Sequence, residues 1–349
     1  MKTETHRISF GMLPVAPPTY ASEGKFEGGI SYQRRWVETE SGVPTLENCV
    51  LIDSIASQAN RMESLLKDVV PNVFLDTSGI FDCTTTVDGR ASVDSVHITD
   101  MSHRIYDAML SYSVDESGTP FRETEVGNSV YNACPRDVSA LFKYCPQALV
   151  FGAWNSFGSK KKRTAKFPRA LSAEIIGYKP MALEDHGLKV DVLNITTKAM
   201  PDVKKASAVG LGSVPWDRSN RVTLGGGMFR TFVLSDATIR SLRFGTDDAD
   251  RNAAGQQAIR ALAIHANNIF LHQMIEGMSL RSGCEVYLEN ATLPSLENTL
   301  SSLNQARDAA SSHGLEWATD TYRFLPTPAL AKAIKTSEEN ADKADKDSK

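Results

Sequence analysis

LIDSIASQANRMESLL, residues 51–66, carries an apolar side chain at every third or fourth position. The apolar stripe runs through Ile52, Ile55, Ala59, Met62, Leu66 and Val69. This period predicts an amphipathic helix with Thr45 as its N-cap, Glu47 in its first turn and Pro71 as its stop. The opposite face holds hydroxyl and amide side chains and one guanidinium. It is therefore either a solvated face or a binding face.

Outward from this helix, strand-like and helix-like segments alternate along the chain. The predicted strands cover 148–154, 169–179, 188–196, 229–234 and 317–324, and the predicted helices cover 102–113, 138–145, 256–275 and 295–312. The run at 148–154 is continuously apolar, which is typical of a central buried strand. The alternation indicates an α+β fold or a split βαβ topology with long insertions.

The domain organisation follows from breakers and charge. We expect one elaborated domain over residues 1–330, with an insertion around 72–135 and a basic loop at 156–169. The last residues, 331–349, are strongly charged and are expected to be a disordered tail.

Composition limits the class of protein. Hydrophobic content is 41% and charged content 23%, as in ordinary folded proteins. No run approaches the length of a membrane span, and the start has no secretory h-region. The five cysteines are scattered and never spaced as CxxC, which suits a reducing compartment. These features predict a cytoplasmic protein.

Positive charge is concentrated in one stretch of an acidic chain. Residues 138–173 hold seven Lys or Arg and no acid, although the whole chain has a net charge of -4. The densest part contains Lys160, Lys161, Lys162, Arg163, Lys166 and Arg169. Such a patch is either a solvated loop or the footprint of a polyanion. Among the interleaved aromatics, Trp154 is expected in the core, whereas Phe157 and Phe167 could pack or stack on a base.

Catalytic and metal-binding patterns are absent from the sequence. It contains no HExxH, GxSxG or Walker motif and no paired-cysteine metal set, so we expect no enzyme activity, no metal and no cofactor. His265 and His272 share a helix face but lack a third ligand. The pair His103–Arg104 is ambiguous, because it could act in RNA cleavage or hold a phosphate passively.

Four stretches together resemble a known family. They are LIDSIASQANRMESLL (51–66), HRIYDAMLSYS (103–113), LVFGAWNSFG (149–158) and KFPRALSAEIIGY (166–178). In this order they are similar to the Csb-one group of RAMP proteins, the Cas-seven-type backbone subunits of type I-G (formerly I-U) CRISPR effector complexes. The glycine-rich segment 206–227 is similar to that family's glycine-rich segment.

The resemblance implies an RRM-like, or ferredoxin-like, palm decorated by thumb and finger insertions. It implies a crRNA-binding subunit of a Cascade ribonucleoprotein in antiviral defence. Several copies, a homo-oligomer, would line up head to tail along the guide and present it to target DNA beside other effector subunits. The contacts have to be independent of sequence, as backbone contacts are. The alternative is a RAMP ribonuclease that processes precursor crRNA or cleaves target RNA.

The resemblance also implies candidate RNA-binding residues. On the helix they are Ser57, Gln58, Asn60 and Arg61, and in the KFPRA motif they are Lys166 and Arg169. His103 and Arg104 match the family's HR pair without an assigned role. The run from Lys160 to Arg163 departs from the family pattern, since that loop is richer in glycine in the family.

Overall fold

A seven-stranded antiparallel sheet forms the centre of the molecule. The computed structural model describes residues 1–10, 14–20, 29–38, 43–78, 80, 95–156, 165–183, 187–189, 214–216, 221–281, 284–289 and 292–336. Within these ranges the strands are β1 (Lys2–Phe10), β2 (Thr19–Tyr20), β3 (Gly29–Ile30), β4 (Tyr32–Glu38), β5 (Pro44–Asp53), β6 (Val73–Asp76), β7 (Ser95–His97), β8 (Ser113–Val114), β9 (Ala153–Asn155), β10 (Ala165–Phe167), β11 (Leu171–Tyr178), β12 (Pro180–Leu183), β13 (Gly187–Lys189), β14 (Val214–Trp216), β15 (Arg221–Leu224), β16 (Met228–Leu234), β17 (Met278–Arg281), β18 (Cys284–Leu288) and β19 (Tyr322–Pro326). The central sheet has the order β17-β18-β1-β16-β11-β5-β4.

Helices pack on this sheet and on one another. They are α1 (Ile55–Ser64), α2 (Ala108–Ser111), α3 (Glu125–Asn132), α4 (Ser139–Tyr144), α5 (Gln147–Phe151), α6 (Asp236–Ser241), α7 (Ala249–Glu276) and α8 (Leu296–Ser312). The Arg230 side chain, from β16, contacts Met62 of α1 and the ring of Phe270 of α7, so both helices lie against the same face of the sheet. The fold is thus mixed α+β with a large antiparallel sheet, consistent with the predicted class.

A smaller sheet lies beside the central one. It has the order β7-β6-β19-β8, and β19 pairs with β6 in parallel, Tyr322 opposite Val73. Its core includes Phe121 and Phe324, whose rings meet edge to face with centroids 4.9 Å apart. Strand β19, near the end of the chain, therefore pairs with strands from the segment predicted as an insertion around 72–135.

The helix predicted from the Thr45 cap to Pro71 is wrong in its first part. Residues 44–53 form β5, and α1 begins only after Ser54, whose hydroxyl accepts a hydrogen bond from the Ser57 amide. Ile52 and Met62 are both fully buried, but they lie on different elements. The apolar spacing was compatible with both, because a strand followed by a helix can mimic a helical stripe over a few residues.

The buried strand predicted at 148–154 is also wrong. Residues 147–151 form α5, and only 153–155 form a strand. A short, fully buried apolar run has no exposed face, so periodicity cannot separate helix from strand. The helix predicted over 102–113 is broken likewise, into a 3-10 turn at Arg104–Tyr106 and α2, which is capped by Asp107.

Other predicted elements are confirmed. The helices at 138–145, 256–275 and 295–312 correspond to α4, α7 and α8, and the strands at 169–179 and 229–234 correspond to β11 and β16. Helix α7 starts earlier than predicted, because Asp248 caps it by accepting from the Asp250 and Arg251 amides. The predicted strand at 188–196 and most of the tail predicted as disordered over 331–349 lie outside the described residues; the part of the tail that the structure describes, 331–336, is helical. None of the described helices is long and apolar enough to cross a membrane.

Candidate nucleic-acid interface

An open groove collects several of the predicted binding residues on one surface. It is lined by residues 102–104, 151–154 and 166–169 and has a volume of about 410 Å³. We call it the basic groove. Its three segments are far apart in sequence, and the HR pair, the LVFGAW motif and the KFPRA motif each supply one of them.

Short strands and one glycine determine the shape of the groove. Strands β9 and β10 pair so that Lys166 lies opposite Trp154. Just before β9, Gly152 has a φ of 82°, and a Cβ there would lie 3.1 Å from the Phe167 carbonyl oxygen and 3.2 Å from the Arg169 nitrogen. Only glycine allows both this conformation and this close approach of two backbones.

Trp154 is the exposed aromatic of the groove. Its side chain is 56% exposed, so the expectation that it packs in the core is wrong. The Lys166 ammonium lies 5.4 Å from the centroid of its ring, in a cation–π arrangement. Phe167, in contrast, is buried and stacks near Tyr106, with centroids 6.4 Å apart. The alternation along β10 explains the difference, because Lys166 points outward and its two neighbours inward. Phe157 lies outside the described residues.

Arg169 joins the groove to the start of α1. Its Nε donates to the Phe151 carbonyl at 3.0 Å, and its Nη1 donates to the Ile55 carbonyl at 3.2 Å. Burial, followed by the positive charge of Arg104, lowers the pKa of Arg169 from its usual value. The side chain is therefore held at the groove by the backbone of two different elements.

Arg104 lies beneath the groove. Its guanidinium forms an ion pair with Glu63 of α1, with 2.6 Å between Nη2 and Oε2, and donates to the Gly152 carbonyl at 3.0 Å. Arg104, a candidate RNA-binding residue without an assigned role, is only 8% exposed, so its guanidinium is mostly shielded from the groove surface. Its side chain instead holds the backbone of the groove at Gly152.

His103 stays at the surface of the groove. Its backbone amide donates to the Asp107 carboxylate at 3.0 Å, which fixes the turn, and the imidazole is exposed. The turn that follows it is a three-residue 3-10 segment. The groove thus presents His103, Trp154, Lys166 and Arg169 together.

The predicted residues of α1 divide into surface and core. Asn60 is exposed and Ser57 is half-buried. Gln58 is fully buried: its Nε2 donates to Asp53 at 2.6 Å, and its Oε1 accepts from Arg230 at 2.8 Å. Gln58 is therefore a core residue and is not part of the interface, because its amide connects two buried charges.

Arg230 was not identified from the sequence. It lies in the middle of β16 and is fully buried, and burial lowers its pKa to about 9. Its Nε donates a hydrogen bond to Gln58 Oε1, and its guanidinium carbon lies 5.0 Å from the centroid of the Phe270 ring. The strand sequence offers no sign of a buried cation, because its partner lies 172 positions away.

A second group of cations surrounds the junction between β5 and α1. Arg281 donates to the Ile52 carbonyl at 2.7 Å and lies 3.4 Å from the Asp53 carboxylate. Arg61 lies 3.3 Å from the same carboxylate and donates to the Leu280 carbonyl. Both side chains remain partly exposed, at 24% and 30%. Two guanidiniums share one buried carboxylate, so the junction carries excess positive charge at the N-terminal end of α1. Arg281 was also missed from the sequence.

The remaining predicted site residues fall outside the described part of the chain. Lys160, Lys161, Lys162 and Arg163 all belong to the segment 157–164. Within the described ranges, no three His, Cys, Asp or Glu side chains come together as a metal site. His265 instead has a structural contact, 2.9 Å from its Nδ1 to the Thr299 hydroxyl.

Comparison with known proteins finds a match to one family model. Residues 11–180, just under half of the chain, match the model of the family described as CRISPR-associated protein GSU0053. Over these residues the chain is similar to a CRISPR-associated protein family. No curated protein matches the chain.

The match to the CRISPR-associated family includes all three segments of the basic groove and all of α1. Arg230 and Arg281 lie beyond its end. The groove is therefore contained in the matched residues 11–180, and the remainder of the chain contributes β16 and β17, whose residues contact α1 and its junction with β5.

Proposed function

We propose that this chain is the crRNA-binding backbone subunit of a type I-G CRISPR effector complex. Several copies would assemble head to tail along the spacer of the guide RNA and hold it ready to pair with invading DNA. The match to a CRISPR-associated family supports the biological system. The resemblance of residues 51–66, 103–113, 149–158 and 166–178 supports the specific subunit.

The basic groove is the observation that carries this proposal. It combines an exposed aromatic face, Trp154, with the cations Lys166 and Arg169 and the imidazole of His103. Cations neutralise phosphates and aromatic rings stack on unpaired bases, and neither contact depends on base identity. A guide-binding subunit has to accept any spacer, so this chemistry fits the task.

The architecture is consistent with an RRM-like palm of the RAMP type. The antiparallel central sheet carries α1 and α7 on one face. The smaller sheet β7-β6-β19-β8 is built partly from residues 72–135, the region expected to contain an insertion. Under the proposal, this region belongs to the thumb or finger elements that contact neighbouring copies and other effector subunits.

RNA binding by the purified chain tests the proposal. We expect fluorescence anisotropy with single-stranded RNAs of unrelated sequence to give similar affinities that weaken steeply with salt. W154A should weaken binding about 5- to 150-fold, because stacking contributes about 1–3 kcal/mol per base. K166A should reduce the slope of log affinity against log salt by about 0.7.

Matched controls come from the same chain. Trp36 is 71% exposed on β4 and Lys67 is exposed after α1, so W36A and K67A change the same residue types outside the groove. Both should bind RNA like wild type. If W154A and K166A also bind like wild type, the groove is not the interface.

A ribonuclease remains the second candidate, and the place of His103 favours it. An exposed imidazole beside Lys166 and Arg169 has the composition of a general acid–base site next to phosphate-binding cations. We propose that the chain is not an enzyme. Incubation with labelled repeat-containing RNA, with and without divalent metal, should leave the RNA intact. Cleavage that is lost in H103A would instead establish the ribonuclease.

A further inference from the structure

We propose that Glu63 is a positioning residue of the basic groove, which acts through Arg104 to fix the backbone that presents Trp154 to RNA. This inference rests on the function proposed above. Glu63 is a buried acid beneath a surface that is expected to bind RNA. A carboxylate there repels the phosphates of RNA, so its presence calls for another role.

Both carboxylate oxygens of Glu63 are used by one partner. Arg104 Nε donates to Oε1 at 2.9 Å, and Nη2 lies 2.6 Å from Oε2. Glu63 is 2% exposed, so this two-point contact is shielded from water. Buried two-point contacts of this kind fix the plane of a guanidinium as well as its position.

The third guanidinium nitrogen of Arg104 connects the Glu63–Arg104 pair to the backbone of the groove. Nη1 donates to the Gly152 carbonyl at 3.0 Å, two residues before Trp154. Gly152 in turn lies against the backbone of 167–169. A continuous path of polar contacts thus runs from α1 through Arg104 to the start of β9.

Backbone conformation is consistent with a restrained Arg104. Its φ is 55°, in the left-handed region, which non-glycine residues rarely adopt. Such conformations are unfavourable for a residue with a side chain and persist where surrounding contacts over-determine them. The contacts to Glu63 and Gly152 supply that determination.

The charge of Glu63 and its positioning role predict opposite effects on RNA affinity when the carboxylate is removed, so the two can be told apart. The charged groups that face Glu63 are Arg104, Asp100 and Arg169. Removing the carboxylate makes the region beneath the groove more positive, so electrostatics alone predicts tighter RNA binding. Loss of the restraint on Gly152 and Trp154 predicts weaker binding.

The experiment compares three variants by RNA anisotropy at about pH 8, above the raised Glu63 pKa of about 7, where most of the carboxyl is ionised. E63A should bind about three- to tenfold more weakly than wild type. E63Q keeps one acceptor for Arg104 and should recover part of this loss. D100N, which removes a nearby exposed carboxylate without touching the path, should bind no more weakly than wild type.

A double-mutant cycle identifies the route. In a W154A background, E63A should cost less than about twofold, because the ring that it positions is gone. Thermal unfolding identifies the folded variants, and if E63A does not fold, the E63Q/W154A cycle replaces it. A mere loss of stability would leave the affinity of the folded protein unchanged.

Three results would overturn the inference. E63A could bind RNA as tightly as D100N does, or its loss could be equally large with and without Trp154. Wild type could also fail to bind RNA under any condition. The first two results leave the proposed function intact, whereas the third removes the function and this inference together.

Discussion

Glu63 and Arg104 form a buried ion pair whose contribution to stability depends on pH. Burial raises the pKa of Glu63 from 4.5 to about 7, although Arg104 opposes the shift. Between these two values the folded protein holds a proton that the unfolded chain has released. The free energy of unfolding therefore falls as pH rises through this range.

The contribution of Glu63 can be isolated by difference. We expect the free energy of unfolding of wild type, relative to E63Q, to fall by about 1–3 kcal/mol between about pH 5 and pH 8. Urea denaturation at several pH values measures it, and subtraction removes the other titrating groups. Parallel curves for the two proteins would show that Glu63 does not titrate in this range.

Gly152 permits a second test at the scale of one residue. Its φ of 82° disfavours a side chain, and so does the Phe167 carbonyl oxygen, which would lie 3.1 Å from a Cβ at this position. Gly118 has almost the same φ, 83°, with no atom within 4 Å of the corresponding point. G152A should therefore destabilise the protein by about 1–3 kcal/mol more than G118A, as measured by urea denaturation. Equal losses would mean that the close approach at Gly152 relaxes freely.

At the scale of elements, α1 depends on the residue that caps it. Ser54 caps the helix through its contact with the Ser57 amide, 3.2 Å away. S54A should cost about 0.5–2 kcal/mol of stability. S64A, at the exposed end of the same helix, should change stability by less than about 0.5 kcal/mol. Chemical denaturation of both variants checks this, and equal effects would rule out the cap as the cause.

The sequence predicted elements best where one face meets water. Helix α8 alternates buried and exposed positions, and its extent was predicted closely. Helix α5 was not predicted, because its residues are all buried and leave no periodic exposed face. Strand β5 was not predicted, because its buried end and the start of α1 together mimic one helical stripe. Element type is then decided by packing against distant segments, which no local pattern contains.

The candidate site was predicted in part for a similar reason. His103, Lys166 and Arg169 could be identified because each lies in a local sequence motif, and the structure places all three in one groove. Gln58 has the composition of a surface residue, and only Arg230, from the far side of the chain, makes it a core residue. Arg281 reaches the β5–α1 junction from β17 in the same way. Long-range polar contacts of this kind are invisible to spacing.

The whole molecule is acidic, so the proposed RNA binding has to come from local positive charge. With a net charge of -4, the chain as a whole repels a polyanion, so short-range contacts at the groove have to outweigh a weak general repulsion. Salt screens both, but close phosphate contacts dominate the counterion release. The slope of affinity against salt therefore counts phosphates at the interface and is insensitive to net charge.

The proposed head-to-tail assembly makes a final prediction about stoichiometry. A subunit that covers a fixed stretch of guide should load single-stranded RNAs of increasing length in whole steps, one further copy for each added stretch. Mass photometry at saturating protein measures the steps. The W154A/K166A double variant should need more protein to reach each step but show the same step length, because the groove sets affinity and the size of the subunit sets spacing. A single copy on every RNA, whatever its length, would contradict the assembly and leave only an isolated RNA-binding protein.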